Sequence, residues 1–177
     1  MNRSLYLWQI AGFLFVSIIG TLLHFTYDLS AQNFAVALFS AVNESVWEHM
    51  KLFFFPVVFF ALIEYFFWGK QNKHFWSINL RGVVLGIVLN IVLYYLISGA
   101  FGISALWVDV ALFYVIIAIV FLYETYMFKK PRDVKISERT ALILLCVIAL
   151  CFVIFTFLTP QIPLFEVRND GLDNLLT

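Results

Sequence analysis

Five stretches of this chain are each long and apolar enough to cross a lipid bilayer, and that property removes most folds from consideration. A helix rises about 1.5 Å per residue and the hydrocarbon core is about 30 Å thick, so a span needs about 20 mostly apolar residues. The stretches run from about Leu5 to Tyr27, Val46 to Trp68, Gly82 to Phe101, Ala105 to Phe128 and Ala141 to Leu158. A soluble core could not absorb them. Of the 177 residues, 63% are hydrophobic and 12% charged, against roughly half and a quarter in soluble domains. The expected fold is an all-α integral membrane helical bundle of about five transmembrane helices, one transmembrane domain over residues 1–177. The first stretch is longer than the apolar run of a signal peptide and ends in Leu23-His24-Phe25-Thr26-Tyr27, with no small-residue cleavage site, so it reads as a retained helix.

Charge gives the orientation. The second and third spans are joined by a loop holding Lys70, Lys73 and Arg81, and the fourth and fifth by one holding Lys129, Lys130, Arg132, Lys135 and Arg139. Short Lys- and Arg-rich loops stay in the cytoplasm. With Arg3 this predicts an N-terminus inside and an extracytoplasmic tail over 159–177. The other side carries Asp28, Glu44, Glu48, Glu166, Asp170 and Asp173, with Lys51 and Arg168 as its cations. Residues 29–43 are too short to span and are expected to lie at the interface or re-enter. Trp68, Trp76, Tyr123 and Tyr126 on the inner side, and Tyr27, Trp47 and Trp107 on the outer, fit interfacial belts better than a cofactor box.

Several function classes drop out. No glycine-rich phosphate loop and no basic stripe with interleaved aromatics occurs, so the partners expected are the bilayer and membrane-borne molecules, not nucleic acid. Cys146 and Cys151 both fall inside the fifth span as reduced packing residues.

The outer ends of the first two spans concentrate the polar residues. The first closes on His24-Phe25-Thr26-Tyr27-Asp28 and the second opens on Asn43-Glu44-Ser45-Val46-Trp47-Glu48-His49-Met50-Lys51. Helix capping explains part of this: Asn43 suits an N-cap, and Ser45 with Glu48 forms a Ser-x-x-Glu capping box. It leaves His24, Asp28, His49 and Lys51 unexplained, and ionisable groups near a membrane are costly enough to mark function. His24, Asp28 and His49 are the expected ligands of a zinc-like divalent metal, the only cofactor indicated, with Glu44 a further carboxylate. Glu48 points about 100° from His49 on a helix, so it is expected to serve as a general base, with Ser45 beside it. Asn43, Glu44 and Asp109, near the outer end of the fourth span, are expected to contact a ligand.

Three functions fit these residues. The first is a metal-dependent intramembrane hydrolase. A non-enzymatic protein that binds or transports a small molecule or lipid is the second, with Asn90, Tyr94 and Pro56 as further cavity residues. Asn90 is weighed chiefly as an interhelix hydrogen bond. The third is an accessory protein that binds another membrane protein through its tail, where Leu164 and Phe165 follow two prolines and could also fold over the polar cluster. Glu64 and Glu124, near the inner ends, are expected to reach the interface or pair with Arg81, Lys70 or Lys129.

Ser45-Val46-Trp47-Glu48-His49 resembles the Ser-x-x-x-His element of the alkaline ceramidase and progestin-receptor-like superfamily of intramembrane hydrolases. That superfamily also uses a late His-x-x-x-His pair, whereas the last histidine here is His74. The nine-residue run Asn43 to Lys51, with His24 upstream and Pro160 to Phe165 near the end, resembles an uncharacterised family of small bacterial multi-pass membrane proteins. This resemblance implies the bacterial cytoplasmic membrane and no particular activity.

Overall fold

Apolar runs of this length pair their backbone polar groups within themselves, and the chain does so as helices throughout. The computed structural model describes residues 2–100, 102, 106–131 and 135–167. Arg132, Arg168, Asp170, Asp173 and the span ends at Phe101 and Ala105 lie outside them. The helices are α1 (Asn2–Leu29), α2 (Phe34–Ala37), α3 (Val46–Phe67), α4 (Phe75–Tyr94), α5 (Leu106–Lys129) and α6 (Glu138–Phe157). Single 3-10 turns occupy Gly69–Gln71 and Pro163–Phe165, and a π-helical turn, Tyr95–Ala100, extends α4. All but α2 are long and apolar enough to cross a membrane.

Helix α3 is apolar all round and is the centre of the bundle, packed against α1, α4 and α6. Helix α5 lies against α4, as its short connection requires, and against α1. The core is largely aromatic: Phe53, Phe54, Phe60, Phe75 and Phe152 are all buried in it. One end of the bundle carries residues 30–45 and the start of α3, and is called here the acidic end. The opposite, basic end carries residues 68–74, 130–131 and 135–137.

Helix α4 starts at Phe75, seven residues before the apolar stretch that marks it in the sequence. Ser77 and Asn79 lower the hydropathy there, but both are buried and bonded. The Glu138 carboxylate, from the start of α6, accepts the Trp76 N–H at 2.9 Å and lies 2.9 Å from the Ser77 hydroxyl, capping the new helix end. The Asn79 amide donates to the Phe75 carbonyl at 3.0 Å. Asn90 likewise donates to its own helix, at the Gly86 carbonyl 3.0 Å away, and not between helices.

Pro56 lies inside α3, where it deprives the Leu52 carbonyl of its i+4 donor. Gly20 of α1 faces that carbonyl: a Cβ built there would stand 2.5 Å from the Leu52 oxygen and 2.5 Å from the Phe113 ring. The missing side chain thus lets α1 approach α3 where Pro56 removes the donor to the Leu52 carbonyl. Gly20→Ala is expected to force these helices apart at a cost of about 1–3 kcal/mol, typical of overpacking, read as a lower midpoint in thermal unfolding of the detergent-solubilised protein. An unchanged midpoint would show that the helices separate freely here.

Candidate metal site

The acidic end is built by a chain reversal followed by a helix start. After α1, Ala31 and Gln32 both take left-handed backbone angles (φ 54° and 58°), and the chain turns back toward α1. The fully buried Ser40 fastens it, its hydroxyl bonded to the Leu23 carbonyl and accepting the Tyr27 N–H at 3.1 Å. This brings residues 40–45 level with His24. Asn43 Oδ1 then accepts the Ser45 N–H at 2.9 Å, and Ser45 Oγ caps α3 by accepting the Glu48 N–H at 3.3 Å.

Only that half of the capping box forms. In place of reaching back to the cap, Glu48 turns inward to Lys51. The Lys51 side chain is fully buried and that of Glu48 nearly so. Lys51 Nζ donates to Glu48 Oε2 at 2.8 Å, to the Ala37 carbonyl at 2.7 Å and to Thr156 Oγ1 at 2.9 Å, which uses all three ammonium protons. Glu48 also accepts the Val42 N–H at 3.0 Å and lies 2.9 Å from the Thr156 hydroxyl. One ion pair therefore ties α3 to α6 and to both halves of the 30–45 segment. Lys51 carries no candidate role in the sequence reading, although the i, i+3 spacing of Glu48 and Lys51 was visible there.

His49, one position beyond Glu48, points the other way, toward α1. Its Nδ1 lies 2.9 Å from the Ser45 carbonyl. A carbonyl can only accept, so Nδ1 carries the proton and Nε2 faces outward. Nε2 lies 3.2 Å from Glu44 Oε2, and His24 Nε2 lies 3.8 Å from the same oxygen. The two imidazoles meet edge to face with centroids 5.2 Å apart. One ligand atom from each of His24, Glu44 and His49 thus falls within 4.8 Å of the others. The hydrogen bond from His49 holds the Glu44 carboxyl below its usual value of 4.5; partial burial opposes this, and the charges of His49 and His24 add to it.

Of the residues that the sequence singled out, His24, Glu44 and His49 lie together. Asp28, on an exposed part of α1, is not in this group; its backbone carbonyl accepts the Ala31 N–H. Asp109, in the first turn of α5, is close enough for its charge to act on His49. Ser45 and Asn43 serve the helix cap, and Glu48 serves Lys51. The tail folds back: Phe165 is buried against Trp47, with ring centroids 4.7 Å apart, and against Phe155 at 6.0 Å. Residues 163–165 therefore strap the start of α3.

Residues 1–173 match the family of unknown function DUF6512. The chain belongs to that family. No curated protein and no solved structure was found to match it. Family membership carries no activity, so the chemistry has to be argued from the site.

Removing one partner of a buried ion pair strands a charge, at a cost of about 3–5 kcal/mol, whereas removing both is far cheaper. Lys51→Met is accordingly expected to destabilise the protein severely, and Glu48→Leu/Lys51→Met to recover most of the loss in thermal unfolding. A double variant no better than the single one would contradict this pairing. Glu44 has a lowered folded value, so its contribution to stability is fully present above its unfolded value near 4.5 and disappears as pH falls through the lower folded one. Thermal midpoints of wild type and Glu44→Gln should differ modestly at neutral pH, since Glu44 is half-exposed, and converge only in that acid range; convergence near pH 6 would contradict it.

Proposed function

We propose that this protein holds one zinc-like divalent cation between His24, Glu44 and His49 and acts as a metal-dependent hydrolase on a substrate presented at the outer boundary of a bacterial cytoplasmic membrane. The observation that carries this reading is the convergence of two imidazoles and one carboxylate within 4.8 Å, with His49 held by the Ser45 carbonyl so that Nε2 faces the other two groups. Metal-ligating histidines are commonly fixed in this way through their other ring nitrogen. Two histidines and a carboxylate leave a fourth position open, and a zinc ion so held lowers the pKa of a bound water to about 7. Glu44 is half-exposed, so the open position is reachable from the acidic side.

The remaining groups divide the work. Ser45 keeps His49 in the tautomer that presents Nε2. With Glu48 committed to Lys51, Asp109 takes the part of proton acceptor in our reading, because its charge already reaches His49. The basic residues at the opposite end, Lys70, Lys73, Lys129, Lys130, Lys135 and Arg139, support placing the acidic end outside. An accessory role through the tail is less favoured, since Phe165 is already spent on Trp47.

Metal content by elemental mass spectrometry tests the site. After zinc loading and washing, wild type and Asp28→Asn are expected to retain about one zinc per chain, as one three-ligand site implies, and His24→Ala and His49→Ala to retain none. Because ligands must shed their protons, occupancy should fall on acidification. Absence of zinc from wild type would overturn the proposal. For catalysis, a panel of membrane-borne esters and amides should yield a substrate whose hydrolysis is lost in His49→Ala while its unfolding transition persists; full activity of that variant would sink the hydrolase reading.

A further inference from the structure

A second polar cluster lies toward the basic end, and its unpaired atoms ask for an occupant. Glu64 of α3 and Glu124 of α5, expected from the sequence to reach the interface or to pair with Arg81, Lys70 or Lys129, are each 1% exposed and buried between helices. They are close enough to act on one another electrostatically. The Glu124 carboxyl rests on α4 at Gly82, where a Cβ would stand 2.1 Å from its Oε1. The Gln9 amide of α1 lies against Glu64 and is itself 4% exposed. Among the described residues, five buried side-chain atoms lack a hydrogen-bond partner, and three of them are here: Gln9 Nε2, Glu64 Oε1 and Glu124 Oε1.

The Gln9 amide orientation can be argued from its neighbour. Thr125 donates its hydroxyl proton to the Phe121 carbonyl at 2.7 Å, so it has none left for Gln9 Oε1, 3.5 Å away. Amide oxygen and nitrogen are assigned from such networks. Exchanging them lets Nε2 donate to Thr125 and turns Oε1 toward Glu64. Gln9 then presents an oxygen to Glu64, Glu64 lies within electrostatic reach of Glu124, and Glu64 Oε1 and Glu124 Oε1 have no hydrogen-bond partner among the described residues. A buried pair of carboxyls stays in a membrane interior only when its charge is neutralised.

We propose that Gln9, Glu64 and Glu124 form a binding site for a small hard monovalent cation, a sodium ion or a proton, inside the bundle and separate from the His24–Glu44–His49 site. A cation supplies the positive partner that all three oxygens lack. A groove of about 270 Å³ between α1 and α5, lined by Tyr6, Gln9 and Thr125 among apolar residues, reaches the Gln9 edge of this cluster. The ionisable groups on the surrounding helices include Tyr6 of α1 and Lys129 of α5, bonded to each other, Tyr65 of α3, its ring tilted against Phe75 and Trp76, and Arg81 of α4.

Thermal unfolding of the full chain in detergent, with sodium chloride exchanged for choline chloride at constant ionic strength, separates the two sources when paired with infrared spectra of the carboxyl carbonyl stretch. A sodium occupant predicts a saturable rise in the midpoint that is lost in Glu64→Gln, Glu124→Gln and Gln9→Leu but kept in His49→Ala. A proton occupant predicts no sodium response, and a protonated-carboxyl band at neutral pH that weakens in Glu64→Gln and in Glu124→Gln. Since Gln matches Glu in size, these variants are expected to unfold cooperatively. A wild type with neither response overturns the proposal, as does a response untouched by these substitutions.

Discussion

The acidic end of this bundle is organised by a single buried ion pair. Glu48 and Lys51, one helical turn apart at the start of α3, are withdrawn from water together, and every proton of the ammonium has an acceptor. Burying two charges costs several kcal/mol each and is tolerated only with geometry this complete. That requirement is what recruits Ala37 and Val42 from the 30–45 segment and Thr156 from α6. The segment before α3 is thereby held in a defined position, with Ser40 fixing it to α1.

The candidate metal site follows from the same arrangement. Consecutive helical residues point about 100° apart, so when Glu48 turns toward α6 its neighbour His49 turns toward α1, where His24 stands. The Asn43 and Ser45 cap places Glu44 just outside the helix, between the two rings. His49 Nε2 lies 3.2 Å from Glu44 Oε2 while Nδ1 faces the Ser45 carbonyl. On the proposed reading a proton and a metal would compete for Nε2, so that acidification would lower metal occupancy.

Much of this was legible in the sequence for a simple reason: apolar length is a strong signal. The five spans, the pairing of α4 with α5 and the polar run from Asn43 to Lys51 all come from it. The start of α4 was hidden because Ser77 and Asn79 are polar yet buried, Ser77 held by a glutamate 61 residues away and Asn79 by the Phe75 carbonyl. Glu48 looked like half of a capping box because local spacing cannot reveal Thr156, 108 residues distant, which draws it inward. Glu44, weighed as one ligand among several, lies between the histidines because of a turn at Ala31 and Gln32 whose left-handed angles no glycine advertises. The Glu64 and Glu124 carboxyls were expected at the interface because inner and outer ends were judged along each helix, whereas burial depends on which helices surround it.

The central claim is that the folded acidic end presents two imidazoles and one carboxylate to a single metal ion. X-ray absorption at the zinc edge, on the zinc-loaded protein in detergent, reads that coordination shell directly. The account predicts a first shell of nitrogen and oxygen at about 2.0–2.1 Å, with imidazole multiple scattering for two histidines and none from sulfur. A shell of oxygen atoms alone, without imidazole scattering, would contradict it.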